Sequence, residues 1–212
     1  MNSTEKEVTY QHKATYTTIN ELTEKTTHVI FAFHGLGYLS RYFARYFREI
    51  PKNFYIICPQ ATSKYYQGND FKYVGASWLT KENTMFEMGN LIQFLDAIEE
   101  KEIPRNLPIK LVGYSQGVSI AMRWMANKKR NVDQLIIHSG SIPVELSPKD
   151  FSMYTNVQVD LVYGTKDEYL TSEKLANQLK KANELFGSKI SIHSFEGIHE
   201  VNAQLVKELV SQ

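Results

Sequence analysis

Five residues, Gly113-Tyr114-Ser115-Gln116-Gly117, constrain what this chain can fold into more than any others, because they join a strand pattern directly to a helix pattern. Residues 109–112 read as a buried strand, and beyond Ser115 the apolar Val118, Met122 and Met125 recur at helical spacing. A strand, a tight turn and a helix with a serine at the bend make a nucleophile elbow. The bend is so sharp that Cβ atoms two residues either side of the serine would strike the neighbouring strand and helix, which is the physical reason for Gly113 and Gly117. The serine is thereby held above the sheet edge at the positive end of the helix dipole, a position that favours a developing anion.

The rest of the chain supplies the sheet that an elbow needs. Residues 28–33 and 54–58 are apolar without alternation, as parallel strands covered on both faces are, and residues 135–137, 157–163 and 190–195 read as further strands. Residues 8–17 alternate with the period of a half-covered antiparallel edge strand. Helical stretches fall between the strands. Phe43 and Phe47 mark one over residues 41–49. Thr84 and Glu87 form a capping box ahead of a second that carries Leu91, Leu95 and Ile98 and stops before Pro104. Leu175, Leu179, Ala182 and Phe186 form a stripe ended by Gly187, and Val201, Leu205, Val206 and Leu209 mark a short last helix. Residues 61–83 show neither period and are rich in aromatics, and a loop of that length in a compact domain is expected to be functional. Regular alternation of strand and helix predicts a doubly wound, mostly parallel α/β sheet with helices on both faces, whose ligands sit beyond the carboxyl ends of the strands.

Composition bounds the partners. The 212 residues, 42% hydrophobic and 22% charged, fit one globular domain over residues 1–212 with residues 1–7 as a flexible N-terminus. Twenty-four basic against 23 acidic side chains leave a net charge of +1, which argues against nucleic acid or an anionic membrane as the main partner. The basic run Lys128-Lys129-Arg130 falls where it complements the elbow helix's dipole. Residues 1–7 lack the apolar core of a signal peptide, no apolar run is long enough to span a bilayer, and the single Cys58 cannot form an intrachain disulfide. A cytoplasmic protein without integral membrane association is expected.

A serine hydroxyl becomes a nucleophile when a neutral imidazole, oriented by a carboxylate, takes its proton. On an elbow scaffold the chain order is serine, acid, histidine. Of the downstream histidines, His193 lies inside the last strand and reads as structural, and His138 precedes every acid candidate. His199, in a loop after the last strand, is the candidate base. For the acid, Asp160 lies within a strand, whereas Asp167 and Glu168 follow Gly164 just past one. Asp167 is preferred for its shorter stem, with Glu168 as the alternative. Two backbone amides complete the machinery for an oxyanion, those of Gln116 and Leu36, with His34 and Gly35 shaping the loop around the latter. No metal or organic cofactor is required.

With these residues in view, the chain from about residue 28 onward resembles the small lidless α/β-hydrolases of the phospholipase/carboxylesterase group, which includes acyl-protein thioesterases. The family's H-G-x-G loop matches Gly35 and its neighbours His34, Leu36 and Gly37, its G-[FY]-S-Q-G elbow matches residues 113–117, and its S-G-x-x-P segment matches residues 139–143. Its G-x-x-D turn matches residues 164–167, and its H-E-[VI] ending matches His199, Glu200 and Val201. The resemblance implies an α/β-hydrolase fold without a lid domain, with Ser115 as nucleophile, Asp167 as acid, His199 as base, and Leu36 and Gln116 as oxyanion donors. Departures fall at Tyr38, where the family usually has aspartate, at Val118 in place of a glycine, at Tyr163 in place of a histidine, and at Leu79-Thr80 in place of Phe-Asp.

The expected function is a serine esterase or thioesterase acting on small carboxylic esters or acyl thioesters. The aromatic stretch 61–83 would wall the substrate, with Trp78 and Tyr66 as acyl contacts. The rival expectations are a peptidase or amidase on the same scaffold and a non-catalytic binding protein of the same shape.

Overall fold

The structure is a computed structural model that describes residues 3–128 and 130–212. Its frame is a seven-stranded sheet in the order β1-β3-β2-β6-β7-β8-β9. The strands are β1 (Tyr16–Ile19), β2 (His28–Phe33), β3 (Phe54–Pro59), β6 (Ile109–Tyr114), β7 (Val132–His138), β8 (Gln158–Gly164) and β9 (Ile190–Phe195). All pair in parallel except β1, which runs antiparallel to β3.

Strand β2 shows why its sequence carries no alternation. Val29, Phe31 and Phe33 enter one core and Ile30 and Ala32 the other, and all five are 0% exposed. The first core is closed by α2 (Thr84–Glu102), α3 (Gln116–Asn127) and α4 (Ser172–Phe186) through Leu95, Met122 and Ala182. The second is closed by α1 (Ser40–Phe43) and α5 (Ala203–Val210) through Phe43, Val206 and Leu209. Helices therefore cover both faces, as the alternation of elements predicts.

Four local expectations are corrected. The expected edge strand over residues 8–17 is only β1, four residues long, pairing Tyr16 with Pro59 at its start. Beyond Pro59 the Gln60 amide still donates to the Thr15 carbonyl at 3.0 Å, but Val8 and Tyr10 stay 82% and 74% exposed, so the alternation upstream has no face to cover. The helix expected over residues 41–49 is one α turn followed by a 3₁₀ turn, Ala44–Phe47, and this tighter winding still buries both Phe43 and Phe47. The capping box is absent. Asn83, in the left-handed region at φ 48°, caps α2, so Thr84 is already helical and its hydroxyl donates to the Thr80 carbonyl at 2.7 Å. The aromatic stretch contains an antiparallel hairpin, β4 (Ser63–Gln67) with β5 (Tyr73–Ser77). No residue of β4 is buried, so the strand left no alternating mark on the sequence.

The basic run is also better described by packing than by the dipole. Lys128 lies 2.9 Å from Asp96 and 3.4 Å from Glu99, and the Arg130 guanidinium lies 3.0 Å from Glu99, tying the end of α3 to α2. Lys129 and the first two residues of the expected flexible N-terminus lie outside the described residues. Among the described residues no helix is long and apolar enough to cross a membrane.

Candidate active site

Chain order and sheet order converge at one rim. Strand β2 lies between β3 and β6, so the chain reverses direction across the sheet there and opens a crevice beyond the strand ends. The register pairs Phe33 with Gly113, which sets the loop after β2 beside the bend after β6.

At the bend Ser115 takes φ 52° and ψ −118°, a conformation that costs a non-glycine residue on the order of 1–3 kcal/mol. It is held by its amide, which donates to the His138 carbonyl at 2.9 Å, and by its own carbonyl, which accepts from Val118 at 3.1 Å. The flanking glycines are obligatory in this packing. A Cβ at Gly113 would stand 2.5 Å from Val118 Cα, and one at Gly117 would overlap the Phe33 carbonyl oxygen.

Strand β9 ends three strands from the bend, about 14 Å at ordinary strand spacing. The loop after it folds back across the strand ends to close that gap. The Gly197 carbonyl accepts from the Lys166 amide at 2.9 Å, the Tyr114 hydroxyl donates to the His199 carbonyl at 3.0 Å, and the Asn202 amide donates to His138 Nε2 at 3.1 Å. The result brings His199 Nε2 to 2.9 Å from Ser115 Oγ. Asp167 Oδ2 lies 2.8 Å from His199 Nδ1, and its Oδ1 accepts from the Tyr169 amide at 2.9 Å. The Asp167 side chain is 0% exposed and that of His199 16%, so the carboxylate end of this chain of bonds is shielded from solvent. The imidazole is further fixed between rings, Tyr114 at 5.4 Å and Tyr169 edge-on at 4.8 Å. Glu168, the alternative acid, is exposed.

The other histidines have structural partners. His138 is fully buried. Its Nε2 accepts from Asn202, so Nδ1 carries the proton and donates to Ser139 Oγ at 3.1 Å, and burial pushes its pKa down to about 3. His34 is likewise buried, with Nδ1 donating to the Gly35 carbonyl at 2.7 Å and Nε2 accepting from the Ala61 amide at 3.1 Å. Burial lowers its pKa to about 4. This fixes the fold of the loop that carries Leu36. His193 Nε2 sits 2.8 Å from the buried Asp160, far down strand β8 from the rim.

Among the described residues the amides of Leu36 and Gln116 donate to no protein acceptor, and Gln116 opens α3. The Gln116 side chain has a role that sequence reasoning missed. Its Oε1 accepts from the Trp78 amide at 3.0 Å, and its Nε2 donates to Ser77 Oγ at 3.2 Å and the Leu79 carbonyl at 2.8 Å. It pins the end of β5 to the elbow. A glutamine beside the serine was visible in the sequence, but the chain it would grip was not.

The two expected substrate contacts stand elsewhere. Trp78 is 2% exposed, with its indole Nε1 donating to the His34 carbonyl at 2.7 Å and its ring 4.7 Å from that of His34. It braces the Leu36 loop from behind and leaves almost no surface for a substrate. Tyr66 is exposed, but its ring stands edge-on to Phe71, and strand alternation turns it away from the face on which Gln67 donates to the Gly37 carbonyl. No three histidine, cysteine or acidic side chains among the described residues stand together as a metal site.

The family model for phospholipase/carboxylesterase matches residues 14–211. The chain belongs to this family. Its sheet and helices accordingly form an α/β-hydrolase fold, and its 212 residues leave no room for a large lid domain. Esterases and a thioesterase appear among the solved structures it resembles. The Zea mays acyl-protein thioesterase 2 superposes with a TM-score of 0.68 at 16% identity, covering 94% of this chain and 98% of that one. Esterase PE8 superposes with a TM-score of 0.68 at 17% identity over 94% and 99% of the two chains. The Bacillus cereus carboxylesterase does so with a TM-score of 0.65 at 14% identity over 93% of each. At such identities the likeness speaks for the fold. Among curated proteins no sequence matches the chain.

Proposed function

We propose that this chain is a serine hydrolase that cleaves small carboxylic esters or acyl thioesters through an acyl-enzyme intermediate. The observation that carries the proposal is the unbroken path from Ser115 Oγ through His199 to Asp167, with contacts of 2.9 and 2.8 Å. Such a path lets the imidazole accept a proton while the buried carboxylate stabilises the cation formed.

In the first step Ser115 Oγ attacks the substrate carbonyl carbon as its proton passes to His199 Nε2. The carbonyl π electrons move to oxygen, and the Leu36 and Gln116 amides donate to that oxyanion. Collapse of the tetrahedral species breaks the bond to the leaving oxygen or sulfur, which takes the proton from Nε2, leaving the acyl group on Ser115. A water then repeats the sequence. His199 takes one of its protons, the hydroxide attacks the acyl carbon, and the proton returns to Ser115 Oγ as the acid departs. Strain at Ser115 keeps the hydroxyl proud of the sheet throughout, so the fold bears the positioning cost in advance. A cytoplasmic location is part of this proposal, since the lone, buried Cys58 places no demand on an oxidising compartment.

The test is hydrolysis of a short-chain nitrophenyl ester and the matching thioester by wild-type protein and Ser115→Ala. Turnover reduced on the order of 10³-fold or more by the substitution supports the proposal. Equal turnover by the two proteins would sink it, and turnover of anilides in preference to esters would move the function to an amidase.

A further inference from the structure

Next to the Leu36 loop lies a cleft of about 610 Å³ that the chemistry above does not use. One wall comes from the Leu36 loop and α1, the other from the β4–β5 hairpin. Its lining joins aromatic faces to positive charge. Arg41 lies 4.8 Å over the ring of Tyr42, and Lys72 lies 5.2 Å over that of Tyr73, and all four residues line the cleft. Arg45, which does not line the cleft, packs on the same Tyr42 ring at 4.8 Å.

These charges lack protein partners. No acidic side chain lines the cleft, and among the described residues none of Arg41, Arg45 and Lys72 enters an ion pair. The nearby Asp70 is occupied by the Lys72 main chain, whose amide donates to it at 3.2 Å.

The two walls are also fixed relative to the reacting centre. The Gly37 amide donates to the Ala76 carbonyl at 2.9 Å, and Gln67 Nε2 donates to the Gly37 carbonyl at 2.9 Å. The hairpin that carries Lys72 is therefore fastened to the residue after Leu36, whose amide is a proposed oxyanion donor. The cleft therefore shares the Leu36 loop with the proposed oxyanion site.

We infer that this cleft binds an anionic end of the substrate, so that the preferred esters or thioesters carry a carboxylate or phosphate a few bonds from the scissile carbonyl. The inference rests on the hydrolytic function proposed above. The aromatic faces take the connecting atoms and the cations take the charge, which an exposed site rewards modestly and in a salt-dependent way. The anion can sit on either side of the scissile bond, and two pairs of substrates separate the cases.

The test compares kcat/KM for nitrophenyl hemiglutarate against nitrophenyl pentanoate, and for the acetate ester of 4-hydroxybenzoate against that of 4-hydroxybenzamide. We expect the charged member of one pair to be favoured about fivefold or more at low salt, with the preference fading in 0.5 M sodium chloride. In the double variant Arg41→Gln, Lys72→Gln the ratio should fall towards one, whereas Arg48→Gln, an exposed cation outside the cleft, should keep it. Preference in the first pair places the charge in the acyl group, and preference in the second places it in the leaving group. Turnover of the neutral esters with no preference in either pair overturns this inference alone. Turnover of none of the four overturns the hydrolytic function and this inference with it.

Discussion

Replacing Asp167 by asparagine probes the proton path at the end farthest from the substrate. Both oxygens of the carboxylate are committed, Oδ2 to His199 Nδ1 at 2.8 Å and Oδ1 to the Tyr169 amide at 2.9 Å. A carboxamide offers one acceptor and one donor in their place. Because the Tyr169 amide can only donate, the asparagine oxygen turns towards it and the NH₂ group faces the ring. His199 Nδ1 must then accept, its proton moves to Nε2, and Nε2–H points at Ser115 Oγ, where it can no longer take a proton. Turning the amide over restores the tautomer but sets two donors against each other in a buried place, at about 2 kcal/mol. The imidazolium then forms without its buried carboxylate, at about 3 kcal/mol more. The sum of about 5 kcal/mol corresponds to a loss in kcat near 10⁴-fold. Steady-state hydrolysis of a nitrophenyl ester, with circular dichroism to show that the fold persists, reads the effect. A folded Asp167→Asn protein with kcat within tenfold of wild type would refute the reasoning and move the acid to Glu168.

Further outcomes follow from the same contacts. Gln116→Ala removes three side-chain hydrogen bonds to residues 77–79 while keeping the backbone amide, so it should lower stability by about 2–4 kcal/mol in a denaturant titration, and a change below 0.5 kcal/mol would contradict the pinning role. His34 and His138 are held neutral with pKa values near 4 and 3, below the ordinary 6.5, so the unfolded chain takes up protons first as pH falls. Their contribution is undiminished above pH 6.5 and declines below it. Between pH 7 and 5 each should cost on the order of 2 kcal/mol, and His138→Asn should flatten the slope by about one proton. Stability independent of pH over that range would contradict the burial of neutral rings.

Much of this molecule is written in local pattern. Strand β2 is legible because both of its faces are buried, and the bend at Ser115 because only glycine fits at Gly113 and Gly117. Asp167 and His199 could be selected because elbow order and strand ends leave few candidates, and the structure brings His199 to the serine and Asp167 to His199. What stayed hidden depends on contacts distant in sequence. The β4–β5 hairpin buries nothing along β4, so it carries no period. Trp78 reads as an aromatic in a substrate loop, yet the His34 carbonyl 44 residues away makes it a brace. The edge strand failed because its partner ends at Pro59, a limit set by β3 and not by the alternating residues themselves.

The central claim is that Ser115 is an activated nucleophile, and covalent capture measures that directly. Wild-type protein treated with a fluorophosphonate and weighed intact by mass spectrometry should gain one adduct, located on Ser115 by peptide mapping, while Ser115→Ala gains none and His199→Ala gains it far more slowly. Folded wild-type protein that remains unmodified, or that carries its adduct on another residue, would contradict the account.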